Sequence, residues 1–165
     1  MKKIVKLTFL MVPFFILAQG ADSKTFVNTV NLDGDLNNVW NAITDFSTMS
    51  VWDDSIVDVR CNDGLDKNKY CKVIAGSGTI HDVEIVDLIE GQSYTVRYKL
   101  SSGNVYIKRS LASEDPIQFT ETVWYTGISK RTFAKYKGDD YAQVLTDRIQ
   151  DFKKFWEEDL AEGEK

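Results

Sequence analysis

The sequence predicts an α+β domain in which a curved antiparallel sheet of about seven strands wraps a long C-terminal helix, with two short helices after the first strand. Three observations lead there. From Asp139 to Leu160, Tyr141, Val144, Leu145, Ile149, Phe152, Phe155, Trp156 and Leu160 recur at three- and four-residue intervals, with acids and lysines opposite. That is the apolar stripe of a helix of about six turns. Upstream of it, short alternating runs are separated by Gly, Asp and Ser at hairpin spacing. The strands follow one another without intervening helices, which excludes a doubly wound parallel sheet. A lone helix at the end of such a chain has the concave face of the sheet as its partner, and a strongly curved sheet leaves space there for a small apolar ligand.

The first twenty residues stand apart. Lys2, Lys3 and Lys6 precede an apolar stretch from Leu7 to Ala18, and Ala18-Gln19-Gly20 supplies small residues for cleavage. This is the pattern of a secretory signal peptide. The apolar stretch is well short of the ~20 residues that span a bilayer, and Pro13 interrupts it. The reading is a signal peptide over 1–20, one domain over 21–165 and no stable membrane anchor. The chain carries a formal charge of -5, and losing three lysines makes the remainder more acidic still. An acidic surface without a basic stripe disfavours nucleic acid and anionic lipid as partners. The expected location is the periplasm or the exterior.

In order, Thr25 to Leu32 is a first strand turned by Asp33-Gly34, and Asp35 caps a helix with Leu36, Val39, Trp40 and Ile43 on one face. Asp45 to Met49 begins a second short helix ending near Val51-Trp52. Ile56 to Cys61 and Tyr70 to Ala75 form a hairpin around Asp63-Gly64, followed by strands Thr79 to Leu88, Tyr94 to Leu100, Val105 to Ala112 and Ile117 to Thr126. Ser129 to Gly138 reads as a polar, flexible connection to the long helix. In an exported chain Cys61 and Cys71 are expected to pair. Antiparallel partners sum to a constant, so that pairing sets Val59 against Val73 and Val57 against Ala75, which is self-consistent. Two thiols and one distant histidine do not make a four-ligand metal site.

Val39-Trp40-Asn41-Ala42-Ile43-Thr44-Asp45-Phe46 followed by Trp52 is similar to the opening of the START-like helix-grip (SRPBCC) superfamily. Gly78 with the Glu84-to-Leu88 strand, Tyr98 and Trp124 continue the likeness, within the polyketide cyclase/dehydrase and lipid-transport branch. The resemblance covers residues 25 to 160 and implies a cavity for a hydrophobic small molecule more firmly than it implies a reaction.

Relatives place a cavity-facing acid where Glu84 stands, and Asp82 shares its face, while His81, Val83 and Ile85 take the other. A buried carboxylate there could hold a polar head or move a proton. Tyr98, Tyr106 and Trp124 are candidate lining residues. Alternation in the last two strands would instead bring Val105, Ile107 and Leu111, or Phe119 and Val123, inward, and both options stay open. From the helix, Tyr141, Val144, Leu145 and Arg148 would form the floor, and Arg148 could meet Glu84 or a ligand carboxylate. Trp40 and Trp52 fit the core, and His81 lacks any catalytic motif around it. There is no phosphate loop, zinc spacing or nucleophile elbow, so no cofactor is expected. The leading expectation is an exported binding protein or carrier for a hydrophobic or amphipathic small molecule. A cofactor-independent cyclase or dehydratase using Glu84 with a tyrosine or Arg148 is the alternative, and a solid-cored interaction protein is a third.

Overall fold

The structure, a computed structural model, describes residues 24–61, 64–113 and 115–163. The expected signal peptide lies outside the described residues, as does Asp63 of the expected Asp63-Gly64 turn. Seven strands appear: β1 (Thr25–Leu32), β2 (Ile56–Arg60), β3 (Tyr70–Ala75), β4 (Ile80–Ile89), β5 (Ser93–Leu100), β6 (Gly103–Ala112) and β7 (Ile117–Thr126). They form one antiparallel sheet in the order β1-β7-β6-β5-β4-β3-β2. β1 and β2 therefore occupy opposite edges. The chain between them crosses the end of the sheet as α1 (Leu36–Thr44) and α2 (Met49–Trp52). After β7 come α3 (Lys130–Lys137) and the long α4 (Tyr141–Gly163), which packs against β1 and α2.

Local chemistry explains the crossing. Asp35 accepts hydrogen bonds from the backbone N–H of Asn37 (2.9 Å) and Asn38 (3.1 Å), which starts α1. Asp45 then accepts from the Ser47 N–H (3.0 Å) and hydroxyl (2.6 Å), turning the chain into α2. Val39, Trp40, Ile43 and Trp52 are buried, so the opening motif serves the core. At the far end, Trp156 donates its indole N–H to the Asp33 carbonyl at 2.7 Å, and its ring lies 3.0 Å from where a Cβ on Gly34 would stand. Gly34 also has φ of +121°, a backbone shape that only glycine adopts cheaply. α4 is thereby pinned to the β1–α1 turn.

Two expectations need correction. Cys61 and Cys71 are bonded, and Val59 faces Val73, but Ala75 pairs with Ile56 rather than Val57. A β-bulge between Ile56 and Asp58 inserts one residue, so Val57 swings outward and Ile56 takes its place in the core. The connection from Ser129 to Gly138 is a helix, not a flexible linker. The Ser129 hydroxyl accepts from the Thr132 N–H at 3.1 Å, and Gly138 ends the helix with φ of +95°. Its one buried side chain, Phe133, stacks on Phe26 (5.4 Å) and Tyr125 (4.4 Å) and meets Tyr141 edge-on (5.0 Å).

The core divides in two. One cluster gathers around Trp40, Trp52, Phe119, Ile149, Phe152 and Trp156 between the sheet and α1, α2 and α4. The other gathers around Val105, Val123, Tyr125, Phe133, Tyr141 and Leu145 beneath α3. The disulfide closes a ten-residue separation on the β2–β3 edge. On the chain-entropy account its removal as Cys61→Ser with Cys71→Ser should lower stability by about 2–3 kcal/mol, read from urea denaturation.

Candidate functional site

The boundary between the two core clusters is charged. On β6, Arg109 sits between Ile107 of one cluster and Leu111 of the other; on β7, Glu121 sits between Phe119 and Val123. On α4, Arg148 stands between Leu145 and Ile149. Period-two alternation on the strands and the three-to-four spacing on the helix aim all three inward. Asp53, just after α2, completes the group. Exposure is 3% for Asp53, 4% for Arg109, 1% for Glu121 and 6% for Arg148, so these are buried ions that must satisfy one another.

Glu121 is the centre. It accepts from Arg109 Nε at 2.7 Å and from the Nη2 of Arg148. Arg109 also donates Nη1 to the Tyr94 hydroxyl (2.9 Å) and lies over the Trp52 ring at 4.6 Å. The Tyr94 hydroxyl donates onward to the Ile43 carbonyl at 2.9 Å. Arg148 donates to the Tyr141 hydroxyl at 3.2 Å. Asp53 lies 3.8 Å from Arg109 and 3.6 Å from Arg148, and its other oxygen accepts from the Ser55 N–H (3.1 Å) and hydroxyl (2.5 Å). Burial pushes the Glu121 carboxyl upward, but Arg148 and Arg109 outweigh it and hold the group below its ordinary value. For Arg148, desolvation opposes the charge, and Glu121, Tyr141 and Asp53 outweigh it to keep the guanidinium firmly protonated.

Two adjacent spaces that share wall residues adjoin this network. The inner chamber, about 30 Å³, is walled by Val83, Val96, Ile107, Tyr94, Asp53 and Arg109 among others. The outer cleft, about 450 Å³, opens between β3, β4, β5 and the α3–α4 corner, lined by Ala75, His81, Leu100, Val105, Tyr136 and Val144 among others. Ser55, Ile56, Val73, Tyr98, Lys137 and Arg148 border both, and so form the partition between them. Lys137, in the last turn of α3, places its ammonium over the Tyr98 ring at 5.3 Å, and the His81 ring meets Tyr98 edge-on at 5.9 Å. Desolvation and the nearby Arg148 lower the Lys137 pKa. Burial and Lys137 lower that of His81. Larger surface grooves exist, including one of about 570 Å³ between α1 and the end of α4, but they are more open than the cleft and lie away from the charged network.

The candidate residues divide cleanly. Tyr98 and Arg148 line both spaces, while Tyr141 and the 42%-exposed Val144 line the outer cleft. Leu145 is buried in the second cluster instead of lining either space. Asp82, Glu84, Tyr106 and Trp124 lie on the opposite, outer face of the sheet. There the pairing aligns Tyr70, Glu84, Arg97, Tyr106 and Trp124 across five strands, and residues directly opposite share a face. Glu84 is bonded to Arg97 and accepts from the Tyr70 hydroxyl at 3.2 Å, Asp82 pairs with Lys72 at 2.9 Å, and Tyr106 stacks on Trp124 at 5.0 Å. Alternation thus overrides the position suggested by relatives: Val83 and Ile85 are the inward residues of β4, and Glu84 does not meet Arg148. Asp53, Arg109, Glu121 and Lys137 were not anticipated. The signal for Arg109 and Glu121 was their even spacing from Val105, Ile107, Phe119 and Val123.

An antiparallel sheet wrapped on a C-terminal helix, with helices bridging its edges and a cavity between, is the START-like helix-grip fold. No family model matches the chain, and no curated protein matches it in sequence. Solved structures do. DynU16, a protein in the dynemicin biosynthetic locus, aligns with TM-score 0.64 and 14% identity over 82% of this chain. The chain spans about half of that protein's length, 48%. A START superfamily protein from Mycobacterium smegmatis aligns with TM-score 0.62 and 11% identity over 81% of this chain and 97% of its own. A protein from Helicobacter pylori aligns with TM-score 0.62 and 12% identity over 93% and 99%. At these identities the likeness is one of fold.

Glu121→Gln should cost about 3–5 kcal/mol at pH 7, because two buried guanidinium groups lose their anion. A depressed carboxyl pKa contributes stability that is present above the ordinary value and lost as pH falls through the lowered one. The gap between wild type and Glu121→Gln in urea denaturation should therefore narrow below about pH 4.3.

Proposed function

We propose that this protein is an exported carrier or binding protein for a hydrophobic or amphipathic small molecule, held between the sheet and the α3–α4 corner. The observation that carries this reading is the outer cleft: its volume of about 450 Å³ lies within the ~300–1,000 Å³ typical of small-molecule sites. Apolar and aromatic side chains make up just over half of its wall; Ser77, Thr79 and His81 lie on the β3–β4 side, and the two cationic side chains, Lys137 and Arg148, stand where it borders the inner chamber. The likenesses to DynU16 and to the START superfamily protein are of fold, one that leaves space between sheet and helix for a ligand. Export rests on the amino-terminal sequence pattern together with the Cys61–Cys71 bond. Among the described residues no helix is long and apolar enough to cross a membrane.

A cyclase or dehydratase reading has less behind it, since Glu84 lies outside the cavity and the two buried acids, Glu121 and Asp53, are each engaged by Arg109 and Arg148. The test is a thermal-shift panel of fatty acids, sterols and polycyclic aromatics. A ligand present at 100 times its dissociation constant should stabilise the fold by ~2.7 kcal/mol, several degrees in melting temperature. A panel without any shift would remove the carrier reading.

A further inference from the structure

The four buried ions of the network balance. Arg109 and Arg148 carry two positive charges, and Asp53 and Glu121 two negative ones, all within hydrogen-bond or ion-pair distance of a partner. Lys137 stands outside that balance. Among the described residues no carboxylate lies within 4.0 Å of its ammonium, whose one close partner is the Tyr98 ring. Arg148 also keeps donors in reserve: it hydrogen-bonds through Nη2, its Nη1 stands 3.6 Å from Asp53, and its Nε has no partner. The outer cleft that these two residues close carries His81, Lys137 and Arg148 on its wall and no acid at all. In a chain with a net charge of -5, a ligand cleft whose lining carries cationic side chains and no carboxylate is set against the rest of the molecule.

The position of the charge gives the orientation of a ligand. The inner chamber, about 30 Å³, has room for little more than a water-sized group, whereas the cleft of about 450 Å³ has room for a ligand body. Lys137 and Arg148 stand where the two meet. We infer that the ligand is an amphipathic carboxylate that enters head first, its acid group seated between Lys137 and Arg148 and its apolar body in the outer cleft. This inference rests on the carrier reading above and names the class of molecule carried.

The surroundings of Lys137 agree. Arg148 on α4 disfavours its charge, while Asp53 beyond α2 and Glu121 on β7 favour it only partly, and desolvation exceeds each of them. Burial and Lys137 disfavour the charged form of His81 on β4 as well. A carboxylate arriving at this point supplies the missing counter-ion and accepts charge-assisted hydrogen bonds from a lysine already stripped of much of its water.

Matched probes test it by isothermal titration calorimetry, each below its critical micelle concentration: decanoate against 1-decanol, and 2-naphthoate against 2-naphthalenemethanol. The expected result is at least a tenfold tighter affinity for the acid in a pair that binds. Lys137→Met should bring acid and alcohol within about threefold of one another, and should not lower the melting temperature, since it removes a partly desolvated charge. Acid and alcohol binding equally to wild type would overturn the headgroup assignment and leave the carrier reading standing. So would a Lys137→Met protein that keeps the full acid preference. If no probe of either kind binds, the carrier reading itself falls. Should Lys137→Met not fold, the wild-type ratio decides alone.

Discussion

The bond pattern at Glu121 is the constraint from which the rest of the interior follows. One carboxylate, almost wholly buried, holds guanidinium groups from β6 and α4, and through them Tyr94, Tyr141 and Asp53 are fixed. Desolvating four ions opposes folding, and their mutual attraction roughly offsets that cost; such networks contribute little net stability compared with an apolar core of equal volume. Their effect is geometric. With one partner removed, a buried charge stands alone, so β6, β7 and α4 have one relative placement in which all four charges are paired.

That placement also keeps the interior from closing. Apolar side chains at positions 109, 121 and 148 would let the two hydrophobic clusters merge. Ions there stand between them, and Arg148, Tyr98 and Lys137 border both the inner chamber and the cleft. α3 completes the wall. Phe133 anchors it among Phe26, Tyr125 and Tyr141, and one turn later Tyr136 and Lys137 reach the cleft. The outer face is a separate system in which Arg97, Glu84, Tyr106 and Trp124 pair among themselves.

The fold was legible wherever a period was strong. The apolar stripe of α4 and the alternation in β5 follow directly from residue spacing, and the Cys61–Cys71 pairing fixed the sense of the β2–β3 hairpin. What escaped has physical causes. A bulge at Val57 adds one residue without a distinctive composition. α3 holds a single buried apolar side chain among lysines, so its periodicity is faint, although Ser129 and Gly138 mark its ends. The site was harder. Arg109 and Glu121 look like ordinary surface charges until strands β6 and β7 are laid beside one another and α4 is docked, since their partners are distant in sequence. For Glu84 the resemblance and the alternation disagreed, and burial of Val83 and Ile85 decided for alternation.

A protein with an internal cleft of this kind should carry its cargo through gentle isolation. Native mass spectrometry of the protein purified from its own host, without detergent, tests this most directly. The account predicts a population heavier than the bare polypeptide by one small molecule, which is released on denaturation. A single species at the polypeptide mass, unchanged across preparations and after incubation with a lipid extract of that host, would contradict it.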